Sequence, residues 1–141
     1  MARAKISAAV PERKLLRSLD MDGGQWVVVK PPTWVEEMAR GQLLTARSTS
    51  FDDTTGMPIT SVDVNTRQLW LEEIWLTFNE GHIDVEIEHA GEPPVVVTIQ
   101  GTHDDFSRQD FMQRLVQLPS NVITEWHARV TEVVPAWHFP F

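Results

Sequence analysis

The chain has 141 residues, 42% hydrophobic and 23% charged, enough for one domain with a real core and too apolar for wholesale disorder. It contains no cysteine, which excludes disulfides, thiol catalysis and thiolate metal sites. The net charge of −8 is unevenly placed: residues 1–50 carry eight Lys/Arg against five Asp/Glu, and residues 51–141 carry four against fifteen.

A basic head on an acidic body argues against nucleic-acid binding, which needs a basic surface to displace counterions. It suits docking of one subunit's head on another acidic surface. No apolar run reaches the ~18–20 residues of a membrane span, and no signal-peptide core is present, so a soluble protein is expected.

Residues 1–10 (MARAKISAAV) read as a basic arm. Pro11 starts a short helix to Leu19, with Leu15, Leu16 and Leu19 forming an apolar patch. Asp20 to Gly24 is a turn, and Gln25 to Lys30 a β-branched strand closed by Pro31-Pro32. Thr33 and Glu36 form a capping box for a helix from Trp34 to about Arg47. Its Trp34, Val35, Met38, Ala39 and Leu43 lie broadly on one side. Residues 48–63 form a long loop, with a short extended piece near its end and a solvated acidic pair, Asp52 and Asp53.

Residues 65–81 give the clearest helix, capped by Asn65 and stopped by Gly81. Trp70, Leu71, Ile74, Trp75 and Phe78 make its apolar stripe, while Leu69 and Leu76 fall nearly opposite. Such a helix is sandwiched, either within its own domain or against a partner. A hairpin follows: Ile83, Val85 and Ile87 point inward from residues 82–88, and Val95 to Ile99 return. Ser107 caps a helix carrying Phe111, Met112, Leu115, Val116 and Leu118. Ser120 caps a second, with Val122, Ile123, Trp126, Val130, Val133 and Val134 on one face, stopped by Pro135. Core positions are expected for Trp26, Trp34, Trp70, Trp75 and Trp126.

These elements predict an α+β fold: a single domain with four to five helices packed on a β-hairpin and an N-terminal strand. The organisation reads as a basic arm and short helix over 1–19, a globular domain over 20–134, and an aromatic tail over 135–141. No nucleophile elbow, phosphate loop, dinucleotide fingerprint or zinc-protease motif occurs. His82, Asp84, Glu86 and Glu88, with His103, Asp104 and Asp105 nearby, read as a protective acidic face rather than a metal site. An acid/base pair from His127 or His138 with a glutamate is also conceivable. The expectation is no enzyme, no catalytic or metal residues and no cofactor. Partner binding falls to Arg3 and Lys5 in the arm, Leu69 and Leu76 on the central helix, and Trp137, Phe139 and Phe141 in the tail.

The layout, from the basic leader through "QWVVVKPPTW", the mid-chain helix and the hairpin to "LPSNVITEWHARVTEVVPAW", resembles small morphogenesis proteins of tailed bacteriophages, above all tail assembly chaperones. That resemblance implies a non-catalytic protein, in several copies or as a homo-oligomer, coating the tape-measure protein in the host cytoplasm while the tail tube polymerises. It implies phage assembly or structural proteins as partners, with neither nucleic acid nor membrane. The hairpin and the aromatic end depart from the mostly helical pattern and leave a second reading: a component retained in the virion as part of the tail, connector or capsid. A small metal-dependent enzyme is the third.

Overall fold

The computed structural model describes residues 2–5, 10–20, 23–44, 47–51, 58–62 and 66–137. Its frame is an antiparallel sheet of β1 (Glu12–Leu15), β2 (Trp26–Val29), β5 (Phe78–Ile87) and β6 (Val95–Thr102), in the order β1-β2-β5-β6. Between β2 and β5 the chain makes α1 (Trp34–Leu44), a separate hairpin of β3 (Arg47–Phe51) and β4 (Pro58–Val62), and α2 (Thr66–Thr77). After β6, a 3₁₀ turn (His103–Asp105) leads to α3 (Arg108–Leu115), α4 (Ser120–Val133) and a final 3₁₀ turn (Pro135–Trp137). The result is the expected α+β fold in one unit.

Alternation along the strands sends one set of side chains into the core. Val27 and Val29 of β2, Ile83 of β5, and Val97 and Ile99 of β6 are buried beneath Ile74, Phe111, Leu115, Val122, Trp126 and Val130 of the helices. On the other face, His82, Asp84, Glu86, Val96 and Gln100 are exposed. The hairpin reading of residues 82–99 therefore holds, with Ile83 opposite Ile99 and Val85 opposite Val97. Gly91, at φ +78°, makes the turn, a conformation that costs glycine nothing. Phe78 sits where α2 gives way to β5 and meets Phe111 at 4.7 Å between ring centroids.

Several expectations need correction. Residues 12–15 form a strand, not a helix: they pair with β2 from Glu12↔Val29 to Leu15↔Trp26 and satisfy an edge that β2 would otherwise leave open. Residues 47–51 and 58–62, expected mostly as loop, pair as β3 and β4. Gly81 does not stop the helix; α2 ends at Thr77 and Gly81 lies in β5. A Cβ there would stand 2.8 Å from the Ile99 carbonyl oxygen, so close strand packing explains the glycine. The α4 N-cap is Pro119, with Ser120 already helical. Asn65, the expected cap of α2, lies outside the described residues.

The sheet also has a notch. β2 pairs with β5 only as far as Trp26↔His82. Beyond that point the chain turns away through Gly23 and Gly24, and no described strand lies beside residues 83–87 on that side.

Candidate interaction site

The turn from β2 into α1 is set residue by residue. The Lys30 amide donates to the Thr77 carbonyl at 2.8 Å, tying the turn to the end of α2. The capping box forms as the sequence predicts: the Glu36 amide donates to Thr33 Oγ1 at 3.3 Å, and the Thr33 amide to Glu36 Oε1 at 3.0 Å. Lys30 Nζ grips both Glu36 oxygens at 2.8 and 2.7 Å. Burial alone would raise the Glu36 carboxyl, but Lys30 and the Thr33 donors outweigh it and hold the group below its ordinary value.

The helix that follows is amphipathic with its sides reversed. Glu36, Arg40 and Gly41 are its part-buried positions. Trp34 is 75% exposed, Val35 72% and Met38 53%, with Ala39, Gln42 and Leu43 also exposed. The expectation that these apolar residues share a side is right in angle. A core position for Trp34 is not, because that side faces solvent. On a helical wheel Trp34, Val35, Met38, Ala39 and Gln42 form an uncharged face, where a helix serving only solvent carries charge.

Arg40 anchors this reversed helix. Its Nε lies 2.6 Å from Glu73 Oε2, and the other Glu73 oxygen lies 2.8 Å from His127 Nε2. Glu73 is 1% exposed, and a carboxylate so buried needs partners on both oxygens. The Arg40 guanidinium lies 4.9 Å from the Trp137 ring centroid, and the His127 ring stacks on Trp70 at 4.4 Å. The neighbouring Glu72, also buried, pairs with Arg108 of α3 and accepts from Gln68 at 3.3 Å. Thus α2 presents two buried carboxylates, one bonded to α3 and one bonded to α1 and α4. Neither was foreseen; the available signal was an adjacent acid pair in a helix otherwise rich in Trp, Leu and Ile.

The His127–Glu73 pair is the His–Glu arrangement the sequence left open. Both residues are buried, Arg40 neutralises the carboxylate, and neither residue lines the two surface grooves described here. One groove, of about 790 Å³, runs between α2 and α4 along Trp70, Leu71, Leu118 and Ile123. The other occupies the sheet notch. The triad ties three helices, α1, α2 and α4, together.

The other candidates are distributed as follows. Arg3 and Lys5 are exposed. Leu69 is 2% exposed and Leu76 is partly buried against the core, so α2 is sandwiched by its own chain at both positions. Trp137 is 3% exposed, folded back by the 3₁₀ turn into its own core rather than held out to a neighbour. His138, Phe139, Phe141, Asp52 and Asp53 lie outside the described residues. Among the described residues no group of three His, Asp or Glu is placed to hold a metal. His82 stacks on Trp26 at 5.3 Å, His103 stacks on Trp75 at 4.0 Å, and Asp105 accepts from the Thr102 amide at 2.7 Å. Burial and the nearby Lys30 charge push the His103 imidazole below its ordinary value. No described helix is long and apolar enough to cross a membrane.

No family model matches the chain, and no curated protein or solved structure matches it either.

Proposed function

We propose that the protein is a non-catalytic protein-binding module of tailed-phage assembly, whose docking surface is the outward face of α1. The observation that carries this reading is the reversal of that helix: Trp34, Val35 and Met38 lie in solvent while Arg40 is paired to a buried carboxylate. An exposed apolar face held on a fixed anchor is the form of a partner site. Its occupant is a longer apolar-faced segment of another protein, not a second α1. Eleven residues make a helix about 16 Å long, and two such helices crossing bury well under the ~800 Å² per side of a stable dimer. The resemblance to tail assembly chaperones supplies the partner, the tape-measure protein.

The test is co-expression with that protein. Trp34→Glu and Met38→Glu should each abolish co-purification while leaving the melting temperature unchanged. Retained co-purification in both would remove α1 from the reading.

The four-stranded sheet favours a second reading, a structural component that stays in the virion. Mass spectrometry of purified particles separates the two: a chaperone is absent, whereas a structural component appears in fixed copy number.

A further inference from the structure

The sheet notch is an open strand position. Asp84 and Glu86 are on the parity of β5 that bonds away from β6. Two contacts fix this: the Asp84 amide donates across the notch to Gln25 Oε1 at 2.8 Å, and the carbonyl of Thr98, opposite Asp84, accepts from Arg114 at 2.7 Å on the far side of β6. The Asp84 carbonyl and the Glu86 amide and carbonyl therefore face the notch, and among the described residues nothing reaches them. The space beside them is a groove of about 450 Å³, with Leu19, Val85, Ile87 and Val122 supplying apolar wall and Asp84 and Glu86 supplying charge. An unpaired strand edge beside an apolar wall is the geometry that strand addition uses.

We infer that the notch receives the N-terminal arm of a second copy of this chain, residues Ala2 to Lys5 adding as a short strand beside Asp84 to Ile87. The arm has the matching chemistry. It is exposed, and neither Arg3 nor Lys5 has a partner among the described residues. In an extended chain these two cations sit on one side, about 6.8 Å apart, which is also the spacing of Asp84 and Glu86 along one face of β5. Ala2 and Ala4 then turn toward the groove wall, where small side chains suit the narrow space.

The arm comes from another copy because a chain's own arm leaves from the wrong end of the sheet. Glu12 is paired to Val29, which is paired to Phe78, six residues along β5 from Asp84, and the notch lies one strand in from β1, a separation of about 21 Å. The arm leaves Glu12 heading away from the notch, so it must first reverse through a turn of about four residues, after which the chain left before Lys5 spans at most about 14 Å. Arm and notch are different surfaces, so the contact either closes as a reciprocal exchange of arms between two copies or runs head-to-tail into a ring or an open chain. It stands apart from the α1 reading, and Trp34→Glu should leave it unchanged.

Sedimentation velocity on the full chain tests it. The wild type should associate at low ionic strength and dissociate as salt shortens the screening length. R3E/K5E and D84K/E86K should each weaken association roughly a hundredfold, because each sets like charges against each other. The fourfold variant R3E/K5E/D84K/E86K should recover it, and a peptide of residues 2–10 should compete with the wild-type contact. If D84K/E86K proves misfolded by circular dichroism, R3E/K5E and the peptide decide. A wild type that stays monomeric at low salt, an R3E/K5E variant that associates normally, or a folded fourfold variant that stays monomeric would each overturn the inference.

Discussion

Arg40 and Glu73 meet at 2.6 Å across the only described helix whose apolar side faces away from the core. The pair replaces, for α1, the apolar packing that holds α2, α3 and α4 on the sheet. Removing one member leaves a charge buried without its counterpart. Arg40→Met should therefore cost about 3 kcal/mol, read as a lower urea midpoint. Hydrogen exchange should show α1 opening well before the sheet. Protection of α1 equal to the wild type would mean that the ion pair is not what holds it.

Trp34 and Trp126 make a matched contrast. Trp126 is fully enclosed, and Trp126→Ala should cost about 3–5 kcal/mol as a large core site is emptied. Trp34→Ala should shift stability by less than about 0.5 kcal/mol. Thermal melts of the two variants suffice, and similar losses would place Trp34 in a packed site after all.

Acid should weaken the fold in two stages. His103 is held neutral below its ordinary range by burial and by Lys30, so the unfolded chain takes up its proton first, and stability present above about pH 6.5 falls as the pH drops toward the folded value. Glu36 acts lower: burial opposes its charge, but Lys30 and Thr33 prevail, so its contribution is full above the ordinary glutamate value and disappears as pH falls through the depressed one. Melting temperature against pH should therefore decline from near neutrality. His103→Gln should flatten the upper part of the curve and Glu36→Gln the lower. An unchanged upper slope in His103→Gln would show that this histidine is not its source.

Trp137 is a stability residue in this fold. Its ring is buried and lies beneath the Arg40 guanidinium, so Trp137→Ala should cost about 3 kcal/mol. The loss should shrink when Arg40 is already replaced, since the two are in contact. Additive losses in the double variant would separate the tail from the α1 anchor.

What the sequence made legible was local. Thr33 with Glu36 and Ser107 with Asp110 are caps whose partners are three residues apart, and both form. The alternation in residues 83–87 needs only its own period, and it too is right. The rest depended on residues far away in the chain. Glu12 to Leu15 become a strand because Trp26 to Val29 lie alongside, outweighing a helical pattern of leucines. Glu72 and Glu73 are tolerated inside because Arg108 and Arg40 arrive from 36 and 33 residues away. A helical period reveals that Trp34, Val35 and Met38 share a face but not which way that face turns, and here it turns outward. The notch depends on where β2 stops, a property of pairing register that no stretch of sequence states alone.

Three of the five histidines lie flat against tryptophans: His82 on Trp26, His127 on Trp70 and His103 on Trp75. The chain has no tyrosine, so its ultraviolet emission comes from indole rings. A protonated imidazole in van der Waals contact quenches indole emission, whereas a neutral one does so far less. Trp75 is therefore a built-in optical reporter of the protonation of His103, whose imidazole burial and Lys30 push below its ordinary value. His103→Gln would remove that step from a fluorescence titration, with no label added. The solvent-facing Trp34, on which no described imidazole stacks, would report partner docking as a blue shift in the same spectrum.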